Sequence, residues 1–161
     1  MSDKPGKAGE PHPVALPVRY RPFGARLATA AAASVLTAAV VFLWLMLPSE
    51  VQDDFTLFER LTLIAFFIAV LVVLFGLYRS AAIADDDGLT VVNGYRTHHY
   101  PWAEVVRVSL SPHRPWALID LADGETMSVL AIQGSDGDRA VRSARELATV
   151  LAQQSRTSRN D

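Results

Sequence analysis

Hydrophobic and polar positions divide this chain into three zones: a polar, proline-rich start, two long apolar blocks, and a second half in which short apolar runs alternate with turn residues. Residues 27–47 read LATAAAASVLTAAVVFLWLML and residues 61–78 read LTLIAFFIAVLVVLFGLY, with no charged side chain in either. As helices rising about 1.5 Å per residue they reach roughly 31 and 27 Å, close to a hydrocarbon core of about 30 Å. The second can start earlier, with Phe55, Leu57 and Phe58 at the interface. Such runs are too long and too apolar to be core helices of a small soluble domain. A cleaved signal peptide would end in small residues. Here residues 30–34 are the small ones, at the start, and the exit is bulky, from Leu43 to Pro48. The pattern predicts a two-helix transmembrane hairpin over residues 27–80.

Beyond the second block the period falls to two. Asp87-Gly88 precedes a run from Leu89 to Val92, and Asn93-Gly94 marks a tight hairpin turn, because both residues tolerate positive φ. Residues 95–100 read as the returning strand, ended by Pro101. Residues 104–111 alternate, with Val106, Val108 and Leu110 on one face. Residues 116–121 and 126–132 follow as strands around an Asp123-Gly124 turn. The period then changes to that of a helix: Val141, Ala144, Leu147, Ala148 and Leu151 share a face opposite Arg139, Arg142, Arg145 and Glu146. Asp136 and Asp138 stand where a turn and a helix cap belong. Val106, Val108, Leu110, Ile119, Leu147 and Leu151 are expected to share one core. Antiparallel strands closed by one C-terminal helix form a pleckstrin-homology-like order. The predicted fold is therefore a transmembrane hairpin followed by a small α+β PH-like domain over residues 84–154. Residues 1–26, with Pro5, Pro11, Pro13, Pro17 and Pro22, are expected to be a disordered tail, and residues 155–161 a polar one.

Composition narrows the function. A formal net charge of −2 does not suit a nucleic-acid binder, and the absence of cysteine removes disulfides, thiolate metal sites and a cysteine nucleophile. Lys4 and Lys7 are the only lysines against many arginines, a bias that fits a GC-rich bacterial genome. Charge also orients the hairpin. Arg19, Arg21 and Arg26 precede the first block and Arg79 follows the second, whereas the connecting loop carries Glu50, Asp53, Asp54 and Glu59 against Arg60 alone. Basic flanks stay in the cytoplasm, so both termini are expected there, in the cell membrane. Small residues recur at four-residue spacing: Ala30, Ser34 and Ala38, beside Thr29, Ala33 and Thr37, on the first helix, and Ala65 and Ala69, then Gly76, on the second. They permit close helix approach, within the hairpin or between copies.

The motif Pro101-Trp102-Ala103-Glu104-Val105, with Gly88-Leu89, Asn93-Gly94 and Asp123-Gly124-Glu125, resembles the bacterial PH-like domain of the low-molecular-weight protein antigen 6 type. Members with two membrane helices ahead of the domain are similar to the whole arrangement from residue 28 to residue 151. The resemblance implies a PH-like fold and membrane residence, and no particular activity. Eukaryotic PH domains place basic residues around the first hairpin. Here Arg96 stands alone beside the Asn93-Gly94 turn, so phosphoinositide binding does not carry over.

Chemical motifs are few. His98 and His99 are adjacent in a strand and point to opposite faces. Asp85, Asp86 and Asp87 lack the closing glutamate of a calcium loop, since the twelfth position is Arg96. No nucleophile elbow or phosphate loop occurs. No catalytic residue, cofactor, metal or small-molecule substrate is expected. Trp102 reads as a core residue. Trp116, beside the loop carrying His113 and Arg114, reads as an interaction surface, with Arg96 as a further candidate. The functional expectation is a non-enzymatic module that binds a protein partner or assembles with its own copies at the membrane. The alternatives are an accessory subunit of a transporter or membrane enzyme, or an exported surface antigen. A transporter would carry ionisable residues within the spans, and none lies within 27–47 or 61–78.

Overall fold

A computed structural model describes residues 14–160. The expected disorder of residues 1–13 lies outside them. The first helix, α1, runs Phe23–Met46; a short helix, α2, covers Ser49–Asp54; and α3 runs Leu57–Tyr78. Both long helices begin about a turn before their uncharged blocks, so Arg26 lies in the first turn of α1 and Arg60 in the first turn of α3. Their lengths, 24 and 22 residues, and their apolar composition suit a bilayer span. Half-buried positions fall at Arg26, Ala33 and Leu36 of α1 and at Phe67, Leu71 and Leu74 of α3, with Thr29 buried. This spacing of three and four is that of two helices packed along a seam. Ala30, Ser34 and Ala38 lie exposed, as do Ala65 and Ala69, so the hairpin closes on Thr29 and Ala33 rather than on that stripe.

The rest is a sandwich of two antiparallel sheets. One has the order β1 (Val18–Tyr20), β2 (Ala81–Ala84), β3 (Gly88–Asn93), β4 (Arg96–Pro101); the other is β5 (Val105–Ser109), β6 (Trp116–Leu121), β7 (Thr126–Gln133). Helix α4 (Asp138–Asn160) closes the sandwich. Strand β1 corrects the expected tail. Val18 pairs with Ala84, Arg19 with Ile83 and Tyr20 with Ala82. The hairpin is thus inserted between the first two strands of one sheet. Tyr20 is buried in the core, with Val14, Leu16 and Val18 packed against it, and the Val14 amide donates to Gln153 Oε1 at 3.2 Å. Proline-rich composition hides this strand, because the hydrogen bonds that hold it come from residues some sixty positions away. Burial, then the nearby Glu146 carboxylate, pushes the Tyr20 phenol well above its ordinary pKa. Among the described residues its hydroxyl has no hydrogen-bond partner. The domain also begins earlier than residue 84, with β2 at Ala81, and α4 continues through residues 155–160, which were expected to form a tail.

Ile119, Leu147 and Leu151 share the predicted core, and Val108 and Leu110 pack against it. Val106 does not: it is 62% exposed. A bulge between Val105 and Arg107 shifts the register, which buries Val105 and turns Val106 outward. On α4, Ala140 and Val150 are buried while Val141 is exposed. Trp102 is buried as expected, and its Nε1 donates to the Asp85 carbonyl at 2.8 Å. Gly94 takes φ 63° in the β3–β4 turn. Beside it, Asn93 joins the sheets: Nδ2 donates to the Ser128 carbonyl at 2.6 Å and Oδ1 accepts from the Leu130 amide at 3.1 Å.

Candidate interaction site at the base of the hairpin

The domain grips both helix ends that face it. Helix α1 follows Pro22, which offers no side-chain cap. Its first amides are satisfied from across the fold: Phe23 N–H donates to Asp136 Oδ2 at 2.9 Å and Gly24 N–H to Oδ1 at 2.8 Å. A carboxylate there also meets the positive end of the helix dipole. Asp136 is therefore a cap, but of the first apolar helix rather than of α4. At the other helix, Gly76 is buried because the Tyr95 ring lies against it; a Cβ at Gly76 would sit 2.7 Å from Tyr95 Cε2. The Tyr95 hydroxyl donates to the Val72 carbonyl, and the Gly94 amide donates to Ser80 Oγ at 3.2 Å. The Arg79 guanidinium lies 5.6 Å from the centre of the Tyr95 ring, and that of Arg26 lies 4.3 Å from the centre of the Tyr78 ring. Gly76 thus receives the domain rather than a second helix.

Beside these ties the β5–β6 loop folds back toward the hairpin. Arg114 N–H donates to the Ser111 carbonyl at 3.1 Å, and Gly134 N–H to the Pro115 carbonyl at 2.9 Å. A Cβ on Gly134 would come within 3.3 Å of the Arg114 carbonyl oxygen, so glycine allows this approach. The result is an open groove of about 1080 Å³. One wall is helical, from Ala25, Ala28 and Leu77; the other includes His113, Arg114 and Trp116. The structure brings these three predicted residues together. Arg96 is not with them: it pairs with Asn93 at the β3–β4 turn and does not line the groove. Residue-by-residue reading also missed Asp136, Tyr95 and Gly76 as the joint between domain and helical hairpin. Their only local signals were a turn and a glycine at the end of an apolar run.

Other polar clusters have structural partners. Asp85 Oδ1 accepts from the Asp87 and Gly88 amides at 3.1 and 3.0 Å, which makes the triple aspartate a turn. His99 Nδ1 lies 2.9 Å from Thr90 Oγ1, while the His98 ring stacks with Tyr100. Among the described residues no three His, Cys, Asp or Glu side chains form a group able to hold a metal.

A two-sheet sandwich capped by a C-terminal helix, preceded by two helices apolar enough to cross a membrane, has the architecture of a PH-like domain. Residues 79–149 match the family model of the bacterial PH domain. The segment omits β1, which the fold supplies from ahead of the hairpin. The chain is 43% identical over 65 residues to an uncharacterized protein of Mycobacterium bovis and to uncharacterized proteins of two Mycobacterium tuberculosis strains. The match covers 40% of this chain and 42% of each relative, so the chain spans about two fifths of the length of the curated relatives it matches. No solved structure matches it.

Proposed function

We propose that this is a non-enzymatic, membrane-anchored PH-like module that docks a protein partner at the cytoplasmic face of the cell membrane. The observation that carries the reading is the groove shared by the helix bases and the Trp116 loop. One side of it is formed by the two apolar helices, with Ala25 and Ala28 small enough for another backbone to approach. The β5–β6 loop offers Trp116 and Arg114, residue types enriched where binding energy concentrates. An apolar helix of another membrane protein suits such a groove. Anchoring keeps the module near its membrane neighbours, so modest contacts suffice.

The orientation rests on charge. Arg19, Arg21, Arg79, Arg139 and Arg142 surround the domain end of the hairpin. The opposite end carries Glu50, Asp53 and Asp54, while Arg60 is turned inward onto the Gln52 and Phe55 carbonyls at 2.6 and 3.1 Å. By the positive-inside rule the domain end is cytoplasmic. A reporter fused at the C-terminus is expected to behave as cytoplasmic, and protease access to it from outside intact cells would refute this orientation. For docking, a folded Trp116→Ala/Arg114→Ala double variant is expected to lose co-purifying membrane proteins. A shift to a smaller assembly in detergent would assign the partner as a sister copy. Unchanged partners and unchanged size would remove the groove from the function.

A further inference from the structure

We propose that a second pocket, between the start of α1 and the first turns of α4, holds the phosphate of an anionic phospholipid from the adjoining leaflet. It is independent of the groove, lying across the Asp136 cap from it. The pocket has a volume of about 460 Å³ and is lined by Arg21, Phe23, Arg139, Arg142 and Ser143, with Asp136 and Glu146 as its acids. Three guanidiniums and a hydroxyl are a donor set that suits phosphate oxygens. Of the two carboxylates, Asp136 already accepts from the Phe23 and Gly24 amides. Glu146 sits one α4 turn beyond Arg142, on the side toward buried Tyr20. Arg21, Arg139 and Arg142 have no ion pair among the described residues. Arg21 is crowded further: desolvation, then the like charges of Arg19 and Arg26, lower its guanidinium pKa. A bound anion relieves that repulsion.

The position selects a lipid rather than a soluble anion. Phe23 is the first residue of α1, where the chain enters the apolar span, and its ring is 57% exposed. The Arg139 guanidinium lies 4.5 Å from the centre of that ring. A cation held against an exposed aromatic at the end of a span sits at headgroup depth. Leu27, one helical turn further along the same face, is 61% exposed and continues the apolar track for an acyl chain. Headgroup site and acyl track are therefore contiguous, which a free phosphate does not need.

The test uses the full chain in detergent, with native mass spectrometry counting retained phosphatidylglycerol against phosphatidylcholine of the same chain length. The wild type is expected to retain phosphatidylglycerol preferentially. An Arg139→Gln/Arg142→Gln variant is expected to reduce that preference by about five-fold or more, given the usual attraction per arginine at an anionic surface. Arg145→Gln, on the same helix but outside the pocket, is expected to leave it unchanged. Equal retention by wild type and double variant overturns the proposal. So does an equal loss with Arg145→Gln, which would mean diffuse charge attraction rather than a site. If inorganic phosphate at the same concentration raises the thermal midpoint as much as phosphatidylglycerol does, the site takes free anions and the lipid assignment fails. Should the double variant not fold, Arg142→Gln alone provides the comparison.

Discussion

The two ends of the helical hairpin solve the same problem in opposite ways. At the loop end the chain satisfies its own polar groups. Gln52 Nε2 donates to the Trp44 and Leu47 carbonyls at 3.2 and 2.9 Å, which covers the last turn of α1. Arg60 reaches back to Gln52 and Phe55, the Trp44 and Phe55 rings meet edge to face, and Thr56 and Glu59 form a capping box at the start of α3. Every one of these contacts joins residues within about a dozen positions of each other. At the domain end, side chains from far along the chain add to the local backbone closure. Asp136 caps α1 from 112 and 113 residues away, and Tyr95 fills the notch at Gly76. The loop end is a local closure, whereas the domain end is a tertiary joint. The difference teaches that hairpin and domain fold as one body, so a change in either is expected to be felt in the other.

The strongest way to break that comparison is to remove the strand that leads into the joint. Tyr20→Ala empties a buried aromatic site in β1 and is expected to cost about 3–5 kcal/mol of stability, measured by denaturant unfolding of the full chain in micelles. A disordered tail at this position would give no change. Leu147→Ala, at the centre of the domain core, is expected to cost about 2–5 kcal/mol. An unchanged thermal midpoint would mean that α4 does not pack on the sheets as described. Gly76→Leu forces the Tyr95 ring out of its notch and is expected to cost about 1–3 kcal/mol; limited proteolysis then shows whether the β3–β4 turn has come loose from α3. Asp136→Ala leaves two amides of α1 uncapped, at a cost of about 0.5–2 kcal/mol. Its counterpart at the loop end, Gln52→Ala, sharpens the contrast. It is expected to speed amide exchange around residues 44–60 and leave exchange in the domain sheets unchanged, whereas Asp136→Ala raises exchange on both sides of the joint. The smallest effect is expected from Tyr20→Phe. It deletes a buried hydroxyl that has no partner among the described residues, so stability stays level or rises by about 1 kcal/mol.

Several elements were legible in the chain because their cause is local. Apolar length marked both long helices, and alternation with Asn93-Gly94 and Asp123-Gly124 placed β3, β4, β6 and β7. Helical period gave the buried face of α4 at Ala144, Leu147 and Leu151. The candidate groove was half legible: the composition of the Pro112–Pro115 loop pointed to Trp116, Arg114 and His113, but nothing near them revealed the helical wall that completes the site. Val106 failed because a bulge breaks the period of two without leaving a mark in residue type.

What the sequence determined by itself, then, is every feature whose energy comes from neighbours along the chain: transfer of apolar runs into lipid, turn chemistry, and the one-sided pattern of strands and the last helix. Tertiary structure alone decided that Val18–Tyr20 belongs to the sheet, that Asp136 caps α1, that Asn93 ties β3 to β7, and that Gly76 accepts Tyr95. In each of these a polar group or a gap is satisfied by a partner far away in the chain. A backbone amide, an aspartate or a glycine carries no record of which distant partner it will meet; only the packed fold supplies it.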